Sequence, residues 1–144
     1  MRILAATDGS EAANRAVDLA ARLTKALNGH LNIIHVVGGH DVPAEQLVDY
    51  ALQEHVTSGE VLSVFSEEKL KIARQRAEGL GVSDVRLESE TGDVAEAIIE
   101  AARRDEVDMI ILGKRGLGRL SGLLLGSVSQ KLVSVAPCAV IVVP

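Results

Sequence analysis

From Gly113 to Ser127 the chain reads GKRGLGRLSGLLLGS, with five glycines, three cations and no acid. Gly113 and Gly116 are separated by two residues, and Gly126-Ser127 follows after nine more. Glycines at such spacing let backbone amides approach a ligand without interference from a Cβ. If a helix starts at Ser127, its first free N–H groups and the serine hydroxyl face an anion, which makes the stretch a candidate phosphate cradle. The competing reading is a loop whose leucines, Leu117, Leu120 and Leu123 to Leu125, pack on a sheet. A Walker A loop is excluded, because Asp108 stands five residues before Gly113 and Arg115 follows Lys114. A dinucleotide fingerprint fits poorly, since Ser121 stands where its third glycine belongs.

Other residues could join this chemistry. Asp8, in a turn after an apolar run, is suited to a ribose hydroxyl or a magnesium ion, and equally to capping the next helix. Lys114, Arg115 and Arg119 are cations able to stabilise phosphate charge, Lys114 being equally able to point to solvent. His30, His35, His40 and His55 lack metal-ligand spacing, so no metal site of the protein's own is expected. His35, inside an apolar run, reads as a hydrogen-bonded core residue, and Cys138, after Pro137, as packing. No nucleophile, base and orienting group form a set, so no catalytic residue is assigned.

The elements that must position these residues alternate along the chain. RILAAT (2–7), LNIIHVV (31–37), DVRLESE (84–90), VDMIIL (107–112) and PCAVIVV (137–143) read as strands. Between the first two, Ala13, Ala16, Val17, Ala20, Leu23 and Leu27 share a helical face, with Ser10 as N-cap and Gly29 as stop. Residues 44–80 read as helix broken near Thr57-Ser58-Gly59, with Leu70, Ala73 and Ala77 inward and a charged face left to solvent without a chemical role. A helix from Asp93 to about Arg104 turns Ala97, Ile98 and Ala101 inward, and a short one runs from Ser127 to Ser134. Five strands with helical connections imply an open doubly wound α/β fold with a mostly parallel sheet. Its ligand crevice lies beyond the carboxyl ends of the strands, where Asp8, Val36 and Gly113 stand.

Bulk properties narrow the function. A length of 144 residues suits one domain spanning 1–144, and 47% hydrophobic with 24% charged residues is ordinary globular composition. A net charge of -5 and 1% aromatic residues speak against nucleic acid as partner. Of the 15 cations and 20 acids, four cations and no acid fall in 109–144, the end that holds the glycines. A lone cysteine, the lack of a secretory pattern and the short apolar runs point to a cytoplasmic, non-membrane protein. The closing AVIVV, apolar on both faces, predicts a sheet edge that pairs with a second copy, a homodimer through Ala139 to Val143, the alternative being a helix that covers the edge.

The pattern G-x2-G-x9-G-[ST], with ILAATDGS, IIHVV, TGDVAEAI and PCAVIVV, resembles the universal stress protein family along the whole chain. That resemblance implies a five-stranded parallel sheet of order 3-2-1-4-5 and the subclass that binds ATP. It also implies that the triphosphate lies against Gly113, Gly116, Gly126, Ser127, Val128 and Ser129, and the adenine and ribose near Ala6, Asp8 and Val36. The departures are Ala6, where members often have proline, and Lys114, where a small or polar residue is common. The implied function is a dimeric ATP-binding regulator of stress responses, with magnesium carried by ATP near Asp8. The alternatives are an interaction module in which nucleotide is incidental, and a slow ATPase or autophosphorylating timer.

Overall fold

The computed structural model describes residues 1–38, 44–116 and 125–144. Strands β1 (Arg2–Ala6), β2 (His30–Val37), β3 (Val85–Thr91), β4 (Met109–Gly113) and β5 (Ala139–Val143) form one all-parallel sheet of order β3-β2-β1-β4-β5. Helices α1 (Glu11–Ala26), α2 (Ala44–Gln53), α3 (Ser58–Gly79), α4 (Val94–Arg104) and α5 (Ser127–Val135) connect them. The fold class and strand order agree with the expectation from sequence.

Local chemistry sets the helix limits. Ser10 caps α1 by accepting from the Ala13 amide at 3.1 Å, Thr57 and Glu60 form a reciprocal capping box on α3, and Asp93 caps α4. The break in the long helical segment therefore falls just before Thr57, and Ser58 and Gly59 belong to the second helix. The end of α1 also differs from the expectation. Asn28 takes the left-handed conformation, φ 47°, while Gly29 is needed because a Cβ there would stand 2.5 Å from the Met1 carbonyl oxygen.

The sheet is covered on both faces. Ile3, Ala5, Leu31, Ile33 and Ile111 face α1 and α3, meeting Ala16, Val17, Ala20, Leu70, Ala73 and Ala77. Leu4, Ile34, Val36, Ile110 and Leu112 face α4 and α5, meeting Ile98, Ala101 and Leu132. Because β1 sends its helix to the first face and β4 to the second, a crevice opens between the carboxyl ends of these neighbouring strands. The outer strands β3 and β5 are less covered, as the alternation in β3 predicts. Among the described residues, no helix is long and apolar enough to cross a membrane.

At the opposite end of the sheet, Asp105 ties three segments together. Its carboxylate meets Arg104 at 3.0 Å and Arg86 at 3.6 Å, and its carbonyl accepts from the Arg2 guanidinium at 2.9 Å. Arg104 also pairs with Glu88. The hydrogen bond from Arg104 holds the Asp105 carboxyl below the usual aspartate range, against the opposing effect of burial. A depressed value means that the unfolded chain binds the proton more readily. The stabilisation is therefore complete above the ordinary aspartate value of about 3.9 and is lost as the pH falls through the lowered one. Urea unfolding at a series of pH values is expected to show Asp105→Asn less stable than the parent at neutral pH, with the gap closing below about pH 3.9.

Candidate functional site

The crevice is built from the exits of β1 and β4 and the entrance of α5. After β1, Thr7 is buried and its amide continues the sheet by donating to Ile34 O at 2.9 Å. The chain then turns sharply. Gly9 sits at φ +82°, its amide donates to Thr7 Oγ1, and the Ser10 amide donates to Asp8 Oδ1 at 2.9 Å. Ser10 is the α1 cap, which releases Asp8 from that role. The other carboxylate oxygen of Asp8 lies against Gly116, where any Cβ would collide with it.

Gly113, at the end of β4, is glycine for a packing reason. A Cβ there would lie 2.8 Å from the Ala12 carbonyl carbon and the Ala13 nitrogen, inside the first turn of α1. The missing side chain brings β4 and α1 together, a role distinct from exposing amides to a ligand. The next residue closes the loop at its base. Lys114 N donates to Val143 O at 2.6 Å, and Lys114 O accepts from Gly126 N at 2.9 Å and from Ser129 Oγ at 3.1 Å. Ser129 is 2% exposed and also donates to Gly113 O at 3.0 Å, so its hydroxyl is committed to the framework.

These bonds bring the entrance of α5 beside the exit of β4. Gly126 is the N-cap residue and makes no side-chain cap bond, and the first turn of α5 carries no acid. The amides of Ser127, Val128 and Ser129 occupy the positions that have no intrahelical acceptor, and they present partial positive charge. Lys114 is half-buried and Arg115 exposed next to them. Lys131, another cation of the basic end, is drawn away to α4, where it meets Glu96 at 2.6 Å. Arg119, the intervening glycines and most of the leucines lie outside the described residues.

Asp8, Gly113, Lys114, Arg115, Gly116, Gly126, Ser127, Val128 and Ser129 thus form a linked series of contacts around one crevice. Ala6 and Val36 border it from β1 and β2, but their side chains belong to the core on the α4 and α5 side. Val36 is 6% exposed. His35 is buried and bonded to Ser66 at 2.8 Å, as a core histidine should be. The Cys138 thiol is pushed up by burial, in keeping with packing rather than reactivity.

The model of the Universal stress protein family matches residues 1–144. The chain belongs to the universal stress protein family. A relative from Thermus aquaticus, "Universal stress protein in QAH/OAS sulfhydrylase 3'region", is 37% identical, with 98% of this chain and 96% of that protein covered. The universal stress protein UspA from Lactobacillus plantarum is 24% identical, superposes with a TM-score of 0.80 and covers 100% of this chain and 97% of its own. A universal stress protein solved in complex with cAMP is 26% identical, with a TM-score of 0.70 and coverage of 99% and 95%.

Lys69 is the neighbour of this universal stress protein's crevice that sequence reasoning passed over. It lies on the face of α3 that the charge pattern assigns to solvent, yet its stem packs on Gly9 and its ammonium stands 3.5 Å from His35 Nε2. Helical periodicity alone carries no signal for that contact, which depends on how α3 docks across β2. The glycines separate in a testable way. Gly113→Val is expected to cost about 3 kcal/mol or more, because it drives a side chain into α1 backbone, whereas Gly126→Ala, with a Cβ 3.2 Å from Lys114 O, should cost about 1 kcal/mol. Chemical unfolding of both variants measures the difference.

Proposed function

We propose that this universal stress protein binds an adenine nucleotide, ATP foremost, in the crevice between β1 and β4, and acts as a dimeric regulator in stress responses. The observation that carries the reading is the bonding of Lys114 O by Gly126 and Ser129, which sets the uncapped start of α5 beside Lys114 and Arg115, while the following Gly116 lies against Asp8. Phosphate oxygens fit that helix start, with Gly116 and Gly126 allowing the close packing on Asp8 and on Lys114 and Arg115 that forms it, and Lys114 and Arg115 adding charge. Asp8 suits the ribose or a magnesium ion brought with the nucleotide. Ala6 and Val36 border the base, held by aliphatic packing and backbone bonds because the chain has 1% aromatic residues. The complex of a relative with cAMP supports nucleotide as the ligand class.

The expected function of occupancy is to order the glycine loop and change what the protein offers its partners. Among the described residues no catalytic base is assigned beside the cradle, so hydrolysis or autophosphorylation would be slow. A second reading, an interaction module working through its surface, draws on the exposed apolar side chains Val48, Tyr50, Leu52, Val64, Phe65 and Ile72 of α2 and α3. Calorimetric titration of nucleotide-free protein with ATP and magnesium is expected to saturate at one nucleotide per chain. Gly126→Val, folded by circular dichroism, should weaken it at least about tenfold through loss of close approach to the phosphates. An unsaturable titration in the parent would leave the interaction module standing.

The same reading includes a homodimer through β5 (Ala139–Val143) in a cytoplasmic setting. β5 pairs with β4 on one side only, and Val140 to Val143 are half-buried, so the strand offers an apolar edge for a second copy. Light scattering on the eluted protein should return the mass of two chains, and the mass of one would refute the pairing.

A further inference from the structure

The starts of three strands meet the end of α4 at a cleft remote from the nucleotide crevice. By the alternation of side chains along a strand, Arg2, Asn32 and Arg86 fall on the sheet face that α4 covers. The register sets Arg2 opposite His30 and Asn32 opposite Arg86, so β1, β2 and β3 each bring a polar side chain to one place. Together with Asp84, Arg104 and Asp105 these residues line a space of about 440 Å³. Three guanidiniums therefore border the cleft with two carboxylates, while Glu88 and Glu106 lie outside its lining.

The three arginines are not used alike. Arg104 is committed to the framework: its Nε and Nη2 donate to the two carboxylate oxygens of Asp105 at 3.2 and 3.0 Å, and Nη2 also meets Glu88. Arg2 gives its Nη1 to Asp105 O at 2.9 Å and to Glu106 Oε2 at 3.0 Å, and its Nε and Nη2 make no hydrogen bond among the described residues. Arg86 meets a carboxylate that is already taken. Its Nη1 stands 3.6 Å from Asp105 Oδ2, an ion-pair distance, and its guanidinium makes no hydrogen bond among the described residues. A half-exposed planar fork of N–H donors, held by charge alone, is suited to a bidentate contact with a carboxylate or a phosphate. Asp84, exposed in the same lining, pairs with no cation among the described residues and offers an acceptor. We propose that this cleft is a second binding site, for a small molecule that joins an oxyanion, carboxylate or phosphate, to a hydroxyl. Arg86 and Arg2 take the oxyanion from β3 and β1, and Asp84 accepts from the hydroxyl. The site is independent of the nucleotide reading.

The experiment is a nuclear magnetic resonance titration of isotope-labelled protein at low ionic strength, with malate in one arm and glycerol phosphate in the other. At least one probe is expected to shift the Nε–H signals of Arg2 and Arg86 saturably, with half-saturation near about 1 mM, and the tighter arm identifies the oxyanion as carboxylate or phosphate. Arg86→Gln should weaken that binding at least about tenfold. Arg86→Lys keeps the charge facing Asp105, and with it the fold, but loses the fork, so it should weaken binding as well. The amides of Ser127, Val128 and Ser129 report the nucleotide crevice separately in the same spectra. Shifts confined to those amides, no saturable shift at Arg2 and Arg86 with either probe, or saturation unchanged in both variants would each overturn the proposal, and the nucleotide reading would be untouched.

Discussion

The closest backbone approach in the crevice, Gly113 against the first turn of α1, is the constraint on which the rest of the site depends. Ala12 and Ala13 leave no room for a Cβ at the end of β4, so this strand and helix meet backbone to backbone. With β4 seated there, its next carbonyl, Lys114 O, is where Gly126 N and Ser129 Oγ can reach it. The start of α5 is then fixed relative to β1, and Gly116 is brought against Asp8. Each step of this series uses a small residue or a backbone group. A larger side chain at any of these points would separate the helix start from the carboxylate.

The electrostatic character of the site follows from this packing rather than from many formal charges. An uncapped helix start, half-buried Lys114 and exposed Arg115 gather positive potential at one side of the crevice. Asp8 and Lys69 furnish opposite signs near the turn after β1, the Lys69 ammonium lying 3.5 Å from His35 Nε2. Elsewhere the charges are paired for structure, as Lys131 is with Glu96 and Arg104 with Glu88 and Asp105. The Arg104, Glu88 and Asp105 network stabilises the sheet away from the crevice, whereas the receptive region lies at the carboxyl ends of the strands.

Much of this was legible in the amino-acid sequence because it rests on local rules. Apolar runs, helical periodicity and cap residues such as Ser10 and Asp93 place the strands and helices with small errors. Alternation of the two forces a parallel sheet with its crevice at the carboxyl ends. The same reading places Asp8 and the glycines together. What it missed are contacts between distant segments: the left-handed Asn28 beside a sterically required Gly29, the packing reason for Gly113, and the Ser129 hydroxyl turned to framework carbonyls.

Lys69 shows most plainly where reading by pattern ends. On a helical wheel it is one cation among alternating charges, and nothing within several residues marks it out. Only the docking of α3 over β2, set by Leu70, Ala73 and Ala77 against the sheet, lays its stem on Gly9 and its ammonium beside His35. The sequence by itself determined the elements, their order and the residues near the crevice, because these depend on periodicity and on steric rules within a few residues. The tertiary structure alone decided which polar atoms are committed to the framework and which face the crevice, because that depends on distances between residues far apart in the chain.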